Sequence, residues 1–113
     1  MHEVGMMQSV LTSAIERAQQ EGASHIRVVQ MRVGAAAGVV PESLELAFEI
    51  VKKGTIAEDA HLEIDRVSTL CYCADCGLEF EPVNLLNECP HCHRSSTDLR
   101  HGQEFELEFL EVS

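Results

Sequence analysis

The sequence predicts an α+β fold: two helices packed on a three-stranded sheet, with a four-cysteine, zinc-ribbon-like domain inserted before the last strand. Three observations carry that reading. Two stretches repeat apolar residues at three- and four-residue steps, three others are β-branched or alternate in polarity, and all five cysteines fall between Cys71 and Cys92. With 113 residues, the chain has room for one modest domain and a small appendage.

The first helix is predicted from Glu3 to Gln20. Val4, Met7, Leu11, Ala14 and Ala18 line one side, Val10 and Ile15 widen the stripe, and Gly22 is placed to end it. HIRVVQMRV reads as a strand ending at Gly34, and GAAAGVV as a loop. Pro41 and Glu42 suit the first turn of a second helix, striped by Leu44, Ala47, Phe48 and Val51 and closed by Lys52, Lys53 and Gly54. HLEIDRV is a second strand, with Leu62 and Ile64 on one face. In EFELEFLEV, Phe105, Leu107 and Phe109 alternate with Glu104, Glu106 and Glu108, which predicts a last strand with one buried and one wet face. The expected organisation is residues 1–69 as the first part of the sheet domain, 70–100 as the cysteine domain, and 101–113 as the strand returning to the sheet.

Composition narrows the function. Hydrophobic residues make up 45% of the chain, so it folds; five aromatics and no Trp leave the core to aliphatic side chains. Eight basic residues against nineteen acidic ones give a net charge of −11, which repels phosphate backbones and favours cations or basic partners. Within residues 70–100 only Arg94 and Arg100 are basic, against five acids. No apolar run approaches the roughly 20 residues that span a bilayer, and no signal peptide is apparent. The expectation is a cytoplasmic protein bound to neither membrane nor nucleic acid. Thiols stay reduced in that compartment, so the cysteines read as metal or redox chemistry and not as disulfides.

Cys73 and Cys76 form one Cys-x-x-Cys, Cys89 and Cys92 another, with twelve residues between. Two knuckles offering two thiolates each suit tetrahedral Zn(II) in a closed, structural site, which leaves no position for a catalytic water. Gly77 suits the first knuckle's turn. The insertion holds few large apolar side chains, and metal binding contributes about 10–16 kcal/mol in small zinc domains. Redox Cys-x-x-Cys pairs are the weaker reading, because a βαβ setting is lacking. Cys71 is left over as a strand-end residue near the site or an alternative ligand. His91 and His93 flank Cys92 and read as exposed neighbours.

The chain begins MHE. Taken alone, His2 reads as part of a frayed terminus. Its chemistry is nonetheless specific: the α-amine of Met1, the backbone nitrogen of His2 and its Nδ1 can close adjacent chelate rings on one metal, with Glu3 as a further donor. Planar nitrogen donors suit Ni(II) or Cu(II) better than zinc. Amine and imidazole titrate near roughly 7.7–8.0 and 6.5, so such a site releases metal as pH falls.

Together, the MHE start, GVVPESLELAFEIVKKGTIAEDAHLEI, both Cys-x-x-Cys knuckles and the acidic last strand resemble the HypA/HybF family, nickel-insertion accessory factors for [NiFe]-hydrogenase, over essentially the whole chain. The resemblance implies a nickel-binding domain of two helices on a three-stranded sheet, joined to a zinc domain. It implies Ni(II) on Met1, His2 and Glu3, and structural Zn(II) on Cys73, Cys76, Cys89 and Cys92. It also implies a HypB-type GTPase partner and delivery to the hydrogenase large subunit, with urease maturation proteins served by some members. Cys71 stands outside that pattern. His91, His93 and His101 are candidate extra nickel ligands only if the zinc domain folds back. The amphipathic last strand leaves a homodimer open. The rival reading is a zinc-ribbon binding module for a protein or nucleic-acid partner; a zinc enzyme would need an open metal position.

Overall fold

The computed structural model describes residues 2–113. Eight elements follow one another: α1 (His2–Gln20), β1 (Ile26–Gly34), α2 (Pro41–Val51), β2 (His61–Val67), β3 (Leu70–Cys73), β4 (Leu78–Phe80), β5 (Asp98–His101) and β6 (Phe105–Val112). The chain divides into two compact units. One, the helical unit, comprises the residues up to Arg32, Val39–Asp65 and Phe105–Ser113; the other, the cysteine unit, comprises Val33–Gly38 and Arg66–Glu104. The α+β class read from the sequence is the one observed.

In the helical unit, α1 buries Met7, Leu11, Ala14 and Ala18, the stripe that its periodicity predicts, whereas Val4 is exposed at the helix start. Gly22, at φ 77°, ends the helix: its N–H donates to Gln19 O (3.0 Å) and that of Ala23 to Ala18 O (2.9 Å). This pair of bonds satisfies carbonyls that the last turn would otherwise leave unpaired. No side chain caps the start of α2, but Pro41 fills its first turn, where a missing N–H costs nothing. Leu44, Ala47 and Phe48 form its buried side. Each large side chain so buried contributes about 1.5–3 kcal/mol. Lys52 closes the helix with its ammonium 2.9 Å from Glu49 Oε2 and donating to Ala60 O at 3.1 Å.

The three strands of this sheet run in the order β2-β1-β6. The last strand departs from its predicted alternation. Phe105, Leu107 and Leu110 are half-buried, but Phe109 is 48% exposed, and no residue of β6 is fully buried. The position explains it: β6 is an edge strand with a neighbour on one side only, so its inward face is incompletely covered. Ser113 ties the end down, exchanging backbone bonds with His25 at 2.9 and 3.0 Å.

The cysteine unit holds a second three-stranded sheet, in the order β4-β3-β5. Both pairings are antiparallel, with Cys71 opposite Phe80 and Leu99, and Cys73 opposite Leu78. The pleat therefore puts Cys71 and Cys73 on one face and Tyr72 on the other, where Arg100 stacks 4.2 Å from the ring centre. Backbone crowding closes this unit. The N–H of Gly34 donates to Glu104 O (2.8 Å), that of Ala35 to Val67 O (2.8 Å), and that of Ala36 to Gly102 O (2.6 Å). A Cβ on Gly34 would run into the Gly102 carbonyl, and one on Gly102 (φ 121°) would lie 2.9 Å from Thr69 Cα. The small residues after β1 answer a steric demand as well as making a loop.

Candidate metal centre

Cys73 closes β3, and the turn to β4 carries Cys76 and Gly77. Gly77 stands in the left-handed region at φ 68°, and its N–H donates to Cys73 O at 2.8 Å. The second knuckle repeats this geometry without a glycine. His93, four residues after Cys89, has φ 64°, and its N–H donates to Cys89 O at 2.9 Å. A hairpin holds it: Cys89 N–H donates to Arg94 O at 2.9 Å, and Glu88 bridges to Ser95. The His93 ring lies outward, its Nδ1 2.9 Å from Glu88 Oε2. Sequence reading took His93 as a neighbour of the site and missed this backbone role; its placement four residues after Cys89, matching Gly77 after Cys73, was the available signal.

The two knuckles bring the sulfurs of Cys73, Cys76, Cys89 and Cys92 within 4.8 Å of one another. Cys73 and Cys92 lie 3.5 Å apart, Cys89 and Cys76 3.9 Å. Tetrahedral Zn–S bonds of about 2.3 Å place sulfurs about 3.8 Å apart, so the donor set fits that ion in type, number and spacing. Among the described residues this is the one His/Cys/Asp/Glu group that could hold a metal.

The thiols divide the proton burden unevenly. Backbone N–H groups of Cys92, then His91, bring the Cys89 thiol down to about 7 against the cost of desolvation. Desolvation, then hydrogen bonds with Cys92, Cys73 and Cys89, pushes Cys76 up to about 12. Cys92 receives a lowering bond from the Arg94 backbone, yet desolvation and its sulfur neighbours leave it above the ordinary thiol value. The Cys89 thiol thus gives up its proton more readily than those of Cys76 and Cys92, and metal binding must displace the protons those two hold.

Cys71 belongs to the packing beneath the site. It is fully buried in a cluster with Cys73, Phe80 and Cys89, flanked by Leu78 and Leu99. Burial raises its thiol, with Asp98 adding to the shift. His91 is exposed, and His101 Nδ1 lies 3.5 Å from Glu104 Oε2. Of the predicted nickel donors, His2 is the exposed first residue of α1 and Glu3 is partly buried in the first turn. The Glu3 carboxyl is held below its ordinary value, first by a hydrogen bond from its own backbone N–H. Met1 lies outside the described residues. Among those residues no helix is long and apolar enough to cross a membrane.

Residues 1–112 match the family model described as hydrogenase/urease nickel incorporation, metallochaperone, HypA. The hydrogenase maturation factor HypA of a Picosynechococcus strain is 46% identical over 112 residues, covering 99% of each chain. That of Chloroflexus aurantiacus is 38% identical over 113 residues, again with 99% of each chain covered. Among solved structures, the solution structure of the nickel metallochaperone HypA from Helicobacter pylori superposes with a TM-score of 0.68 at 26% identity, covering 97% of this chain and 96% of that one. A second HypA solution structure gives 0.73 at 27% identity, with 100% and 97% covered.

Proposed function

We propose, from the premise that this chain belongs to the HypA family of hydrogenase and urease nickel-incorporation metallochaperones, that it carries Ni(II) on Met1, His2 and Glu3 and delivers it to the large subunit of a [NiFe]-hydrogenase. A member of this family is a maturation factor and not an enzyme.

The observation that supports the nickel assignment is the position of His2. It is exposed and opens α1. The first four N–H groups of a helix have no carbonyl partner within it. Amide nitrogens at positions 2 and 3 can therefore turn to a metal without breaking a backbone bond of the helix, the Glu3 N–H giving up only its bond to its own carboxylate. A cation at a helix N-terminus works against the helix dipole by about 0.3–1 kcal/mol, and the acidic Glu3 in the first turn opposes that penalty.

In this reading Cys73, Cys76, Cys89 and Cys92 hold a resident Zn(II) whose role is structural. Four thiolates leave no open coordination position, so the cargo is kept elsewhere. The partners we assign are a HypB-type GTPase and the hydrogenase large subunit, with urease maturation proteins as a further destination. Five cysteines, none in a disulfide, suit a reducing cytoplasm. A nucleic-acid module is disfavoured, since Arg94 pairs with Asp75 and Arg100 with Asp98.

The test is metal content of the untagged protein against two variants, one with a residue added before Met1 and one with His2→Ala. We expect both to lose tight nickel while retaining zinc. Nickel bound as tightly in both variants as in the parent would remove the N-terminal assignment.

A further inference from the structure

We propose that the four-sulfur cluster is also an oxidation site, at which a hydroperoxide forms two disulfides between the knuckles, Cys76–Cys89 and Cys73–Cys92, and the cysteine unit stays folded without its ion. The inference rests on the zinc part of the proposed function and is independent of nickel.

Reach decides which sulfur reacts first. Cys76 is exposed and Cys92 half-buried, whereas Cys73 and Cys89 are buried. A small peroxide therefore meets Cys76 before any other thiol of the cluster. Zinc, when bound, holds the four sulfurs as thiolates, the nucleophilic form. Among the described residues both thiol–thiol hydrogen bonds cross from one knuckle to the other. Cys89 Sγ lies 3.9 Å from Cys76 Sγ, and Cys73 Sγ 3.5 Å from Cys92 Sγ. A disulfide bond is about 2.05 Å long, so each pair has about 1.5–1.9 Å to close.

The electrons balance pair by pair. The Cys76 thiolate attacks a peroxide oxygen, the O–O bond breaks, and the departing oxygen takes up a proton from solvent. The Cys89 thiolate then attacks the sulfenic sulfur of Cys76; the S–O bond breaks, and hydroxide leaves as water on protonation. Two thiolates have given two electrons to one hydroperoxide. A second hydroperoxide joins Cys92 to Cys73 by the same steps.

Pairing decides what remains. Cross-knuckle bonds link residues 13 and 19 apart in sequence, and such closed loops restrain the unfolded chain. Bonds within each Cys-x-x-Cys would leave the knuckles untied over a small buried cluster of Cys71 and Phe80, flanked by Leu78 and Leu99. Cys71 is fully buried and outside the four-sulfur group, so it stays a thiol.

The test treats zinc-loaded, untagged protein with about two equivalents of hydrogen peroxide, one for each disulfide. Zinc release is followed with a chromogenic chelator, disulfides by mass spectrometry after alkylation, and folding by hydrogen exchange. We expect zinc to leave, Cys76–Cys89 and Cys73–Cys92 to form, and residues 70–101 to stay protected. Reduced protein stripped by a chelator should lose that protection. Dimedone present from the start should label Cys76 first, dithiothreitol with zinc should restore the cluster, and Cys71→Ala should oxidise within about twofold of the parent rate. The proposal fails if the disulfides fall within Cys73–Cys76 and Cys89–Cys92, or if Cys71 is drawn in. It also fails if protection disappears with the zinc, if the thiols pass to sulfinic acid, or if the cluster survives excess peroxide. Protein that holds no zinc before oxidation would instead remove the structural-zinc reading, and the disulfide map would still judge the pairing.

Discussion

The helical unit buries Phe48, Met7, Leu11, Ile26, Met31 and Leu44 almost completely, whereas the cysteine unit has Phe80 as its largest buried side chain and otherwise packs Val33, Cys71, Cys73 and Cys89. The first has apolar area enough to offset the entropy of ordering its chain; the second has sulfur where a core would be. The contrast teaches what each part of the sequence is selected to do. One unit holds its shape by burial and carries the exposed His2 at the start of α1. The other depends on whatever ties four thiolates together.

The largest expected effect breaks the cysteine unit alone. Metal removal by a strong chelator, or Cys89→Ser, should abolish amide protection in residues 70–101 while α1 and α2 stay protected, because a structural zinc contributes about 10–16 kcal/mol. Hydrogen exchange resolved by residue would show it; equal loss in both units would contradict the division. Next, Phe48→Ala should cost the helical unit about 3–5 kcal/mol, read by denaturant unfolding, with zinc content unchanged. Gly34→Ala or Gly102→Ala should each cost about 1–3 kcal/mol, because the added methyl has backbone and not a movable side chain in its way.

Two smaller effects sharpen the knuckle geometry and the acid limit. Gly77→Ala should cost about 1–2 kcal/mol for a side chain in the left-handed region, whereas His93→Gly should change stability by less than about 1 kcal/mol and keep the metal. Glu104 gives the smallest effect. Hydrogen bonds from its own N–H and that of Gly102 hold its carboxyl below the ordinary 4.5. Its contribution is present above that value and lost as pH falls through the lower folded one, so Glu104→Gln should flatten stability only below about pH 4.5.

The parts of the molecule visible in the sequence are those that repeat. Met7, Leu11, Ala14 and Ala18 show helical period over nineteen residues, and all four are buried. Paired cysteines at fixed spacing announce a four-sulfur cluster. Strands of three or four residues such as Leu78–Phe80 and Asp98–His101 are too short to show a period, so the second sheet went unseen. Gly34 against Gly102 is a contact between residues far apart in sequence and carries no local signature. Phe109 follows the alternation and is still half exposed, because pattern reports a strand's faces and not how well its neighbours cover them.

The proposed division between a resident metal held by sulfur and a cargo metal held at the N-terminus is tested most directly by X-ray absorption at both metal edges of one untagged sample. The account predicts four sulfurs at about 2.3 Å around zinc and a nickel shell of nitrogen and oxygen donors without sulfur. Sulfur in the nickel shell, or a zinc shell short of four sulfurs, would contradict it.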